Sequence, residues 1–123
     1  MSQLPRASML WRTGAVFVAT GMAAGAFGSH GLRNRKDLTR DNMDAFMTAS
    51  NYAIFNGLGL LAVSLHPRFA LHRFAPIAIA AGGAIFSGSI WLLVLKRDTF
   101  KFLGPVTPLG GLAMMLGYFS LVL

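Results

Sequence analysis

Ser29, His30, Asn56, Ser87, Ser89 and Thr107 are the polar side chains whose types and positions invite chemistry. They stand within or at the ends of long apolar stretches, where an ionisable group marks a proton relay, an ion path or a ligand site. His30 could be a ligand, a proton carrier or a polar cap on a helix end. Ser29 and His30 have the types of a nucleophile and its base, but adjacent side chains on a helix do not face each other. A metal centre needs companion ligands. His66 and His72 lie in another loop, and cysteine and glutamate are absent. The acids Asp37, Asp41, Asp44 and Asp98 all fall outside the apolar stretches, which removes a carboxylate-driven proton or sodium pathway. The six polar residues are therefore a candidate polar cluster. The expectation is no catalytic set, no cofactor and no metal.

The elements that must position them are hydrophobic. Of 123 residues, 54% are apolar and 12% charged, against about a quarter charged in a soluble domain. Four stretches approach the ~20 apolar residues that cross a bilayer, at about 10–29, 46–65, 74–95 and 102–123. They do not alternate in polarity, so helices are predicted, each satisfying its own backbone. The short joins "RNRKDLTRDNMD", "HPRFALHR" and "KRDTFK" make neighbours antiparallel. The predicted fold is all-α: one domain, 1–123, an integral membrane up-down bundle of four transmembrane helices. Part of the first join is expected to be helical already, with Met43, Phe46 and Met47 on one face and Arg40, Asp41 and Asp44 facing water.

The net charge is +7, and it sits in the joins. Arg33, Arg35, Lys36, Arg68, Arg73, Lys96, Arg97 and Lys101 are candidates for anionic lipid headgroups. No basic stripe interleaved with aromatics is present, so nucleic acid is not expected. The first and third joins hold more lysine and arginine than the N-terminus and second join, which puts them on the cytoplasmic or matrix side. Trp11 and Trp91 fall near the ends of spans, where aromatic belts lie.

Small residues supply the packing. Lipid gives helices no hydrophobic reason to associate, so close backbone approach must do it. Gly14, Gly21, Gly25 and Gly28 share one face of the first helix, Ala53 and Gly57 serve the second, Ala81, Ala84 and Gly88 the third, and Gly110, Ala113 and Gly117 the fourth. In "GPVTPLGG", Thr107 reads as an N-cap with Pro108 at the first helical position; the alternative is one helix kinked at Pro105 and Pro108. His30 is predicted to end helix one beside Thr107 and to tie the two helix ends together. Gly31 would take a left-handed cap conformation there.

"GAFGSHGL", closing helix one, resembles the "GAFGAH" signature of the domain of unknown function 423 family. The resemblance runs on through "NYAIFNGLGLLAVSL", "IFSGSIWLLVL" and "VTPLGGLAMMLGY", in order across all four spans. It implies a small four-helix membrane protein of a kind found in bacteria and in eukaryotes, with mitochondrial members among the latter, and it implies no particular activity. Family members often carry histidine in "YQAFH" where this chain has Asn56, while His30, Ser87, Gly88 and Ser89 match the pattern.

Small size, short joins and no catalytic set favour a structural or accessory component of a larger inner-membrane complex, such as a respiratory one, with lipids and other membrane subunits as partners. The alternative is a small-solute channel or carrier acting as an oligomer. Arg6 and Arg12 in an acid-free N-terminus, and a fourth span without a basic tail, favour the mitochondrial inner membrane over a bacterial plasma membrane.

Overall fold

A computed structural model describes residues 3–32, 35, 38–68, 70 and 72–122, with residues 3–6 and 97 described by backbone alone. The helices are α1 Gln3–His30, α2 Arg40–Leu65, α3 Ala75–Leu95, α4 Arg97–Phe100 and α5 Val106–Ser120, with a 3-10 turn at Lys101–Leu103 before α5. No strand occurs among the described residues. At 1.5 Å per residue, the 26 residues of α2 and the 21 of α3 are each long enough for a ~30 Å hydrocarbon layer. Both are also apolar enough to cross one; α5 is a shorter apolar helix.

Several boundaries differ from expectation for local reasons. α1 begins at Gln3 rather than near Leu10, because "LPRASM" is made largely of good helix formers and Pro5 falls in the first turn, where no N–H is needed. α2 begins at Arg40, where the Thr39 hydroxyl accepts the Asn42 N–H at 3.1 Å. Asp41 and Asp44 face outward while Phe46 is buried, as its polarity pattern requires. α3 starts under His72, whose Nδ1 accepts the N–H groups of Phe74 and Ala75 at 3.2 and 3.0 Å, with Pro76 in the first turn.

The fourth apolar stretch is broken. α5 has 15 residues, about 22 Å of helix, and the chain before it is short helix, 3-10 turn and Gly104. Thr107 is not the N-cap. Pro105 occupies that position with no side-chain cap, and the Thr107 hydroxyl turns to α3 instead. At the other end of the chain, α1 closes without a left-handed residue, since no glycine has a positive φ among the described residues. The Gly31 and Leu32 N–H groups both reach the Phe27 carbonyl, at 2.6 and 3.3 Å, so Gly31 does not play the expected role. Leu32 then folds back to 1% exposure against Phe46 and Val94.

Successive long helices run antiparallel and pack in a row, α1 on α2, α2 on α3 and α3 on α5. The first and third contacts are welded by glycine. A Cβ at Gly14 would lie 2.6 Å from the Gly57 carbonyl oxygen, and one at Gly57 would lie 2.5 Å from that of Gly14. Gly21 meets the Ser50 carbonyl and Ile54, and Gly28 meets the Phe46 ring. Gly25 is looser, at 3.8 Å from Met47 and Ser50. In the second pair Gly82 and Gly110 cross at each other's carbonyls, and Gly117 sits over Ala75, Ala78 and Ile79. The third helix uses a different stripe from the one expected: Ala81 and Ala84 are exposed, a Cβ at Gly88 would meet nothing within 4 Å, and Gly82 and Gly83 make the close approaches. α3 is apolar all round, so spacing alone does not show which stripe faces a neighbour.

Candidate functional site

The seam between the two glycine-welded pairs holds the buried polar groups. Asn56, 1% exposed, projects from α2 into it. Its Oδ1 accepts the Tyr118 hydroxyl of α5 at 2.8 Å, and its Nδ2 donates to the Met114 sulfur at 2.8 Å. Two glycines make the room. A Cβ at Gly83 would lie 2.7 Å from Asn56 Nδ2, and one at Gly59 would lie 2.5 Å from the Tyr118 oxygen. A buried amide needs partners on both its ends, and this one has them.

One level along the seam, Ser87 donates to the Ala49 carbonyl at 2.8 Å. Trp91 Nε1 donates to Ser50 Oγ at 3.2 Å, and Ser50 in turn donates to the Phe46 carbonyl at 3.1 Å. Trp91 therefore turns its polar edge inward, not only toward a belt at the surface. Between α3 and α5, Ser89 and Thr107 share a hydrogen bond of 2.5 Å. Among the described residues no buried side-chain nitrogen or oxygen lacks a partner. Beside the seam a cleft of about 170 Å³ opens between α1, α2 and α3, lined by Phe17, Thr20, Gly83, Ser87 and Trp91.

The six expected polar residues thus divide. Asn56 and Ser87 lie in the α2 seam, and Ser89 and Thr107 pair on the far side of α3. Ser29 and His30 stand apart: both are exposed at the end of α1, and α1 packs on α2 and not on α5. The expected tie between His30 and Thr107 is absent for that reason. Tyr118, Met114, Trp91 and Ser50 complete the seam. Tyr118 and Trp91 carried a signal, since a buried aromatic with a polar tip seeks a hydrogen-bond partner.

Chemically the seam holds amide, phenol, indole, hydroxyl and thioether groups. None is an acid–base pair or a nucleophile with an adjacent base. No group of three or more His, Cys, Asp or Glu that could hold a metal occurs among the described residues. Of the basic residues, Arg35, Arg68, Arg73, Lys96 and Lys101 are exposed at the joins. Arg33 and Lys36 lie outside the described residues, as does the Arg97 side chain.

Residues 24–111 match the family described as "Protein of unknown function (DUF423)". The chain belongs to the DUF423 family. The matched span runs from the last turns of α1 to the start of α5 and takes in Asn56, Ser87, Ser89 and Thr107. A UPF0382 membrane protein of Schizosaccharomyces pombe is 34% identical over 116 residues, covering 92% of this chain and 98% of its own. One from Staphylococcus epidermidis is 32% identical, covering 89% and 88%. The UPF0382 membrane protein YwdK of Bacillus subtilis is 28% identical, covering 89% of each. DUF423 relatives named as membrane proteins therefore occur in a yeast and in bacteria. No solved structure matches the chain.

Proposed function

We propose that this DUF423 protein is a four-span membrane protein without catalytic activity, serving as a structural or accessory component of a larger inner-membrane complex. The supporting observation is the division of its polar and apolar groups. Among the described residues every buried polar side chain has a partner within the chain, many of them backbone carbonyls, while large apolar side chains such as Met22, Phe55, Ile85 and Leu116 face outward from each long helix. Such a chain has packing surface to offer and no reactive group held in reserve. The four-span reading takes α1 and the broken α4–α5 stretch as spans beside α2 and α3. The 28 residues of α1 exceed the length required, and its many glycines, alanines and threonines dilute its hydropathy.

Gentle detergent extraction followed by a native gel tests the assembly. The expected result is a band well above the monomer; free monomer alone would sink the proposal. The carrier reading has less behind it, because the polar residues that would line a path are divided between the α2 seam, the far side of α3 and the exposed end of α1.

Within this reading the membrane is the mitochondrial inner membrane, and the complex is a respiratory one. The support is the Arg-bearing, acid-free N-terminus, which has the composition of an import signal; relatives occur both in a yeast and in bacteria. Fluorescence-tagged protein found in a different organelle would refute the location.

A further inference from the structure

We propose that one anionic glycerophospholipid lies in the groove between α3 and α5, with its phosphate on Arg73 and an acyl chain along the two helices. The groove is a single hollow of about 280 Å³ that runs along α3 from Arg73 to Ile85. Ile77 and Ile85 of α3 and Leu116 of α5 stand exposed along it. Between them the lining is small: Ala81, Gly82 and Ala113. A Cβ on Gly82 would lie 3.1 Å from the Ala113 carbonyl carbon, so the close crossing of the two backbones is what sets the larger side chains apart.

The end of the groove decides its occupant. Arg73 stands one residue before the N-cap of α3, at the level where an apolar helix leaves the hydrocarbon. Among the described residues its side chain has no hydrogen bond or ion pair. The four aspartates all lie in or beside the first and third joins, and glutamate is absent. The second join and the helix ends around it therefore carry no acidic side chain. The start of α3 adds the positive end of its dipole. A guanidinium left unpaired there suits a phosphodiester, which it can grip through two parallel N–H bonds. From Phe74 to Ile85 the groove follows about 16 Å of helix, close to half of a ~30 Å hydrocarbon layer, the depth of one leaflet. A second copy of this chain, inserted the same way round, would bring more arginine to this level and no acidic side chain. A phospholipid brings both the anion and the apolar chain. The inference rests on the chain lying in a bilayer and not on its assembly, so free monomer on a native gel would leave it standing.

Photo-crosslinking reads the site. The full chain is reconstituted in phosphatidylcholine vesicles with a trace of phosphatidylglycerol that carries a diazirine midway along one acyl chain, and the adducts are located by peptide mass spectrometry. They should concentrate on residues 77–85 and 113–116. The same diazirine on phosphatidylcholine should label this face roughly 5-fold less, the worth of one basic residue near a membrane surface. Arg73→Gln should remove that preference, and Arg73→Lys should keep most of it. Ala81→Trp, an exposed substitution that fills the groove, should move the adducts elsewhere with Arg73 in place and helicity unchanged. Lys101→Gln, at the opposite end of the helices, should change nothing. Equal labelling by the two lipids would overturn the proposal. So would adducts spread evenly over the exposed faces of α1 and α2, or a preference that survives Arg73→Gln. Labelling that appears only when the protein is diluted in lipid would give the groove to a second copy, and would overturn it as well.

Discussion

Gly14 and Gly57 face each other so closely that a Cβ on either would lie within 2.6 Å of the other's carbonyl oxygen. The obstacle on each side is backbone, which cannot swing aside as a side chain can. Gly57→Val should therefore push α1 off α2 and cost about 3 kcal/mol, the upper range for overpacking. Thermal loss of helicity in mild detergent measures it, and unfolding unchanged from the parent would refute the crossing.

Gly88→Ala should behave oppositely. A Cβ there meets nothing within 4 Å, and alanine in a helix is better than glycine by roughly 0.5–1 kcal/mol. The same thermal scan should show a small gain, with Gly82→Ala, which drives a Cβ onto α5, as its destabilised contrast.

Asn56→Leu should leave the Tyr118 hydroxyl unpaired in the seam, at a cost of about 1–2 kcal/mol. Tyr118→Phe should cost at least as much, because it leaves the buried Asn56 Oδ1 without a donor. The double variant should fall short of the sum of the two, and strict additivity would mean that the pair does not interact. Asn56→His, which restores the residue of the "YQAFH" pattern, keeps an acceptor and should be milder than leucine.

His30→Gln and His30→Leu should both stay within about 0.5 kcal/mol of the parent, as exposed substitutions do. A loss of more than 1 kcal/mol specific to leucine would reinstate a buried partner for the imidazole.

The sequence and the structure agree where the signal is one-dimensional. The apolar runs gave the helices, the short joins gave their antiparallel order, and in α1 the glycine spacing picked out Gly14, Gly21 and Gly28, which do meet α2. The signal failed where a decision depended on rotation about an axis or on which helices are neighbours. α3 is apolar all round, so its Ala81–Ala84–Gly88 stripe looked as good as the Gly82–Gly83 stripe that makes contact. His30 and Thr107 both mark helix ends, but α1 and α5 lie at opposite ends of the row. Asn56 was visible as a buried polar residue. Its partner Tyr118 was not, because the two are separated by 62 positions and no local pattern links them.

The two glycine-welded pairs are also consecutive along the chain, and this gives biogenesis an order. Each pair can close as a hairpin as it is synthesised, from backbone contacts that need no later segment. The seam has to wait. Asn56 enters with the first hairpin, and its hydroxyl partner arrives only with α5, so through most of synthesis the amide must be hydrated or held by something other than this chain. A ribosome stalled before α5 would leave a closed first hairpin with an unanswered amide on its flank, a state that an insertion chaperone or a quality-control protease could distinguish from the finished protein.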